Sequence, residues 1–159
     1  MSRTAMERMG ILAGVVWLLL SPLPSQSAER FVNNGDGTIT DNKAKLVGLA
    51  RLECYQKRNW DEAMTAVSKL ASGMCGLSDG SPPGSWRLPS KKELPILQDW
   101  KKSGQFVGAR ADFYWSSTPN EEDPTLAWLF FITTGYVGND VKTDKNEVWP
   151  VREIIQPHH

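Results

Sequence analysis

Hydrophobic and polar positions change period several times along the chain, and each change marks an element. Phe31-Val32 and Thr38-Ile39-Thr40 flank Asn33-Asn34-Gly35-Asp36-Gly37. Asn-Gly and Asp-Gly pairs supply the positive φ values that tight hairpin turns require, so a β-hairpin opens the domain. From Asn59 the period becomes helical: Trp60, Ala63, Met64, Val67 and Leu70 share one face. Asn59 as N-cap and Glu62 three residues on form a capping box, and Gly73 supplies the stop. The run from Gly76 to Gly84 is rich in turn formers and reads as a surface loop. A second helix is expected from Ser90, with Glu93 at its third position and Leu94, Leu97 and Trp100 on one side. Pro95 removes one backbone donor early in that helix.

Beyond Gly104 and Gly108 the apolar runs shorten to strand length: Phe113–Ser117, Ala127–Ile132 and Val148–Arg152. Two polar loops separate them, 118–125 and 134–147. Two helices early and antiparallel strands late make an α+β domain, expected over residues 29–153 with a disordered tail at 154–159.

The first 28 residues differ from the rest: Arg3 and Arg8 precede an unbroken apolar stretch from Ile11 to Leu20, followed by Ser25-Gln26-Ser27. This is the pattern of a secretory signal peptide cleaved after Ser27 or Ala28, and the stretch is about half the ~20 residues a membrane-spanning helix needs. The expectation is a bacterial protein of the periplasm or exterior with no integral membrane span after cleavage. Eighteen basic residues balance eighteen acidic ones, so no field attracts nucleic acid. Export also changes how the two cysteines read, because an oxidising compartment lets Cys54 and Cys75 pair around the first helix.

Catalytic patterns are not found. The only histidines, His158 and His159, end the chain, and there is no GxSxG elbow, Walker loop, HExxH or CxxC sequence. Aligning Gly37 with the glycine of a calcium loop would put Val32 and Lys43 at ligand positions, so that metal reading fails. Glu121, Glu122 and Asp123 could form an acid/base pair or weak calcium site, but three adjacent acids on a Pro-bounded loop read better as a solvated turn. No enzyme activity, cofactor or metal is expected. Of the seven tryptophans only Trp17 lies in the leader, and most of the others belong to the core. Tyr114, Tyr136 and the edge of Trp115 lie beside polar loops and offer a platform for ligand contact. With the two loops they give a candidate binding set of Tyr114, Trp115, Asn120, Glu121, Tyr136, Asn139, Asp140 and Lys142.

Five motifs then occur in a fixed order: Arg30–Asn42, Cys75–Ser81, Trp86–Leu94, Tyr114–Thr118 and Val148–Arg152. Together they resemble the Lcl C-terminal-domain family, named for the end domain of a bacterial collagen-like adhesin, over nearly the whole chain after the leader. The resemblance implies a C-type-lectin-like fold, two helices flanking antiparallel sheets with long irregular loops. It also implies binding rather than catalysis, with a glycan or surface protein as the ligand. The Trp86–Leu94 run is similar to the sulfatase-modifying-factor branch of the same fold as well, which leaves an enzyme or enzyme accessory as an alternative; a structural subunit of a surface appendage is another. Lys45-Leu46-Val47-Gly48 stands where family members read Gly-Leu-Met-Trp, and the Glu-Pro-Asn and Trp-Asn-Asp signatures of calcium-dependent lectins are missing. Collagen repeats are missing too, so a monomer is the expectation.

Overall fold

The structure, a computed structural model, describes residues 29–154; the leader, its cleavage point and the final five residues lie outside the described residues. Strand β1 (Phe31–Asn33) pairs antiparallel with β2 (Thr38–Asp41) across the Gly35/Gly37 turn, where φ is +75° and +89° as the Asn-Gly and Asp-Gly pairs require. Asp36 Oδ1 fixes the turn by accepting from the Thr38 amide and hydroxyl. β2 pairs with β3 (Leu46–Leu49), and β3 pairs with β7 (Val151–Glu153), giving a four-stranded antiparallel sheet in the order β1-β2-β3-β7. A second antiparallel sheet holds β4 (Phe113–Pro119), β5 (Leu126–Phe131) and β6 (Tyr136–Val141).

Helix α1 (Trp60–Ser68) starts as its sequence dictates: the Asn59 side chain accepts from the Glu62 amide at 2.9 Å. Its buried face is Ala63 and Val67, and Leu70 continues that face beyond the end. The helix stops at Ser68 rather than running to Gly73, because the loop at Gly84 donates its amide to the Ser68 carbonyl at 2.7 Å. Gly73, with φ +92°, instead turns the chain inside the following loop. Helix α2 (Ile96–Ser103) begins after Pro95, not at Ser90. Residues 91–95 form a tight turn in which Glu93 reaches back to the Ser90 amide at 2.8 Å, so half of the expected capping box exists without a helix behind it. Pro95 has no N–H to donate and a fixed φ, which suits it to the boundary and not to a second turn. Gly104, with φ +69°, ends α2 in a left-handed cap.

Cys54 and Cys75 form a disulfide with Cα atoms 5.7 Å apart, closing the segment that contains α1. Just beyond it the Gly76 carbonyl approaches the opening hairpin so closely that a Cβ on Gly37 would lie 2.4 Å from it. Trp86, Trp100, Trp115 and Trp149 are buried, while Trp60 and Trp128 keep one side exposed. Trp149 joins the layers: its ring lies 5.7 Å from Trp100 on α2, 5.3 Å from Phe106 and 5.5 Å from Tyr114 on β4. Ile154, expected in a disordered tail, packs against this core. No described helix is long and apolar enough to cross a membrane.

The polar segment 134–147 is not one loop: Tyr136–Val141 within it is strand β6, held to β5 in an unbroken register from Phe131↔Tyr136 to Leu126↔Val141. The α+β class stands, with one strand more in each sheet than the pattern of residues announces, since β3 is also unannounced.

Candidate functional site

The second sheet carries its chemistry on one face near the β4–β5 turn. Asn120 organises the turn: its Oδ1 accepts from the Glu122 amide at 2.8 Å and the Asp123 amide at 3.1 Å. Its Nδ2 donates to Oδ1 of Asn139 on β6 at 3.0 Å, spanning the sheet across β5. At the surface of the turn the Thr125 hydroxyl and amide donate to Asp123 Oδ1 and hold its carboxyl below the usual carboxylate range. Trp128, opposite Asn139 in the β5–β6 register, lies under this bridge.

Lys91 covers the Trp128 ring, with Nζ 3.1 Å from the centroid of the indole. The position of Lys91 is set by backbone: its amide donates to Thr118 Oγ1 at 3.0 Å, and the neighbouring Pro89 carbonyl accepts from the Ser117 amide at 2.8 Å. Lys91, Thr118, Asn120, Glu121, Glu122, Trp128 and Asn139 thereby line a cleft of about 290 Å³. Within it Lys91 Nζ, Trp128 Nε1 and Asn139 Nδ2 have no hydrogen-bond partner among the described residues, and neither do the carboxylates of Glu121 and Glu122. Unspent donors and unspent acceptors thus line one cleft with the indole. A larger groove, about 460 Å³, runs along α1 between Arg58 and Lys69, but it is the shallow surface of a single helix and gathers no aromatic side chain.

Of the binding residues named from sequence, Asn120, Glu121 and Asn139 meet in this cleft. Tyr114 and Trp115 do not belong to a platform: they are core. Tyr114 is 1% exposed with its hydroxyl donating to the Arg110 carbonyl at 3.0 Å, and burial pushes its phenol well up. Trp115 is fully buried with Nε1 donating to the Arg58 carbonyl at 2.9 Å. β4 is covered on both faces there, so no edge of either ring is offered to solvent. Tyr136 is exposed at the start of β6 with its ring over Gly138, and it meets Asn139 and Asp140 in a second cleft of about 300 Å³ beside Phe113 and Leu129, apart from Trp128. Asp140 is occupied by the Val141 amide and Asn146 Nδ2, each at 2.9 Å. Lys142 sits over Trp60 at 4.3 Å, beside α1. Four cleft residues are outside that set: Thr118 and Glu122, which fall in the expected loop 118–125, and Lys91 and Trp128, which are missed altogether. Trp128 reads as core in an apolar strand, and Lys91 is brought to it only by the docking of the Pro89–Lys91 segment on β4.

Among the described residues no group of three or more His, Cys, Asp or Glu could hold a metal ion. Both cysteine sulfurs are bonded to each other and so are closed to thiol chemistry while the bridge stands. The bridge fits an extracellular or periplasmic protein.

No curated protein matches the chain. The family model of the Lcl C-terminal domain matches residues 37–152, a span that opens inside the hairpin turn and ends in β7. It holds the disulfide, both helices, the second sheet and its cleft, in the order in which the sequence motifs run. With that share of the residues matched, the chain belongs to the Lcl C-terminal domain family, whose membership points to a surface or adhesin-like module.

Proposed function

We propose that the protein is an exported, non-enzymatic binding module, C-type-lectin-like in arrangement, that takes a glycan in the cleft at Trp128. The observation that carries this reading is the indole framed by unspent donors on Lys91 and Asn139 and unspent carboxylates on Glu121 and Glu122. A pyranose ring has an apolar C–H face and a rim of hydroxyls that both donate and accept. The first matches an indole face, and the second matches the mixed polar rim. On binding, the sugar replaces the Lys91 ammonium over Trp128, and Lys91 swings to a hydroxyl. The Asn120–Asn139 bridge holds the rim in place beforehand, so little ordering is left to oppose association.

The test is titration of immobilised and free glycans against the exported chain, followed by intrinsic tryptophan fluorescence. Binding should weaken at least tenfold in Trp128→Ala, a loss of about 1.4 kcal/mol or more, and should persist in Tyr136→Ala. Equal binding by Trp128→Ala and the unaltered chain would place the ligand elsewhere.

A further inference from the structure

The cleft at Trp128 holds charges of both signs that are not paired with each other. Elsewhere in the fold, cations beside carboxylates form ion pairs: Arg30 with Asp41 and Asp99, Arg87 with Glu93, Arg152 with Asp79. Lys91 shares its cleft with Glu121 and Glu122, yet among the described residues its Nζ makes no ion pair and lies on the indole instead. The backbone accounts for this. The Lys91 amide is fixed to Thr118 Oγ1 at 3.0 Å, whereas the two glutamates ride on the turn that Asn120 builds from the Glu122 and Asp123 amides. Each set has its own anchor, so ammonium and carboxylates line one space without closing it.

Two carboxylates against one ammonium leave the cleft acidic. Both glutamates are exposed, so water and salt screen them and no single pair is strong. What discriminates is how the balance changes when a ligand takes the ring from Lys91, the one cation that lines the cleft. A neutral sugar moves that ammonium off and puts no charge in its place. A uronic or sulfated sugar adds negative charge to the two carboxylates already there. A sugar bearing a protonated amine brings a cation in as Lys91 moves out, and the balance is kept. Its N–H donors also find acceptors, since the oxygens of Glu121 and Glu122 accept no hydrogen bond among the described residues, while Asn139 Nδ2 is left for a ring hydroxyl.

We propose that the sugar taken at Trp128 is an amino sugar with a free, protonated amine, and that the cleft turns acidic sugars away. The indole carries the C–H face, the sugar ammonium donates to Glu121 and Glu122, and the displaced Lys91 turns to a hydroxyl. Lys91 is then an internal stand-in, a cation that covers the ring until the ligand's own cation enters the cleft. This inference rests on the reading of the Trp128 cleft as a glycan site and adds which glycans it accepts.

Tryptophan fluorescence titration of the disulfide-intact exported chain tests it, at matched ionic strength and about pH 6, where amines are charged and glutamates ionised. The probes are the methyl glycosides of glucosamine, N-acetylglucosamine and glucuronic acid, with Nα-acetyl-lysine methyl ester as an amine that has no sugar ring. The glucosamine glycoside should bind about fivefold tighter than its acetylated counterpart, the upper range of what exposed ion pairs supply, and the glucuronide should bind weakest. Glu121→Gln/Glu122→Gln should erase the preference for the amine and leave the acetylated sugar unaffected. Both side chains are exposed and free of hydrogen bonds among the described residues, so the fold does not depend on them. Salt at about 1 M should narrow the preference in the same way. Equal binding of the amine and acetylated forms, with both lost in Trp128→Ala, would overturn the amino-sugar assignment and leave the glycan site standing. A glucuronide that binds tightest, a preference that survives the double Gln variant, or a lysine ester that binds as tightly as the glucosamine glycoside would each overturn it as well. Sugar binding undiminished in Trp128→Ala would overturn the glycan site and this inference together.

Discussion

The indole N–H of Trp100 donates to Oδ2 of Asp41 at 2.8 Å, tying α2 to β2 through two fully buried side chains. A carboxylate without solvent is tolerable only when its lone pairs are occupied. Here Arg30 Nε and Nη2 donate to it at 3.2 and 3.1 Å, and the Lys43 and Ala44 amides at 2.9 and 3.1 Å.

Asp41→Ala should therefore be among the most damaging single changes in the molecule. It strands the Trp100 N–H and two turn amides, and a loss of about 3 kcal/mol is expected from breaking a buried charged network. Urea denaturation of the variant checks this; a change under about 1 kcal/mol would show that the network is dispensable.

Acid should unfold the protein through the same group. Burial alone would raise the Asp41 carboxyl, but Arg30, Trp100 and the Ala44 and Lys43 amides outweigh it and hold the carboxyl below its ordinary value. Asp79 and Glu93 behave alike: burial is outweighed by Ser81 and Arg152 for Asp79, and by Arg87 and Ser90 for Glu93. A depressed folded-state pKa means that the unfolded chain binds more protons in the window between the two values. The contribution is complete above the ordinary carboxylate pKa of about 4 and is lost as pH falls through the lower folded values. The melting temperature should be level from pH 7 to about 5 and fall steeply below about 4; Asp41→Asn should flatten that fall.

Gly48→Ala tests how tightly the first sheet seats α2. A Cβ there would lie 2.3 Å from Trp100 Cζ3 and 2.8 Å from Phe106 Cε1. The two rings are stacked at 4.8 Å and both are buried, so neither can withdraw. Overpacking should cost about 3 kcal/mol or more. Gly73→Ala has φ +92° but nothing within 4 Å of the added Cβ, so it should cost only the backbone strain of about 1 kcal/mol. Thermal melts of the two variants compare them.

Opening the Cys54–Cys75 bridge should destabilise without disordering the second sheet at once. Its sequence separation of 21 corresponds to about 3 kcal/mol of restrained unfolded-state entropy. Cys75 also holds φ +50°, a conformation a free chain would relax. The double variant Cys54→Ser/Cys75→Ser should lower the guanidinium midpoint by a matching amount.

The opening hairpin, α1 and the disulfide are legible in the sequence because each rests on local chemistry: Asn-Gly and Asp-Gly turns, an Asn59 cap, two cysteines. Strand β3 is not, since Leu46-Val47-Gly48-Leu49 is buried on both faces and shows no alternation. β6 is hidden for the opposite reason, as Gly138, Asn139 and Asp140 are poor strand formers that the register with β5 overrides. Asn120, Glu121 and Asn139 could be named because polar residues on turns stand out. Adjacency to a polar loop misplaces Tyr114 and Trp115, because nothing local shows that β4 is covered on both faces at these positions. Nothing local connects Lys91 to Trp128; only the folded chain does.

The first and last strands, β1 and β7, both belong to the four-stranded sheet, whereas the Trp128 cleft lies on the three-stranded one. A pull on β1 or β7 therefore loads the sheet that the Asp41 network ties to α2. The Trp128 cleft, on the other sheet, stays out of that load path.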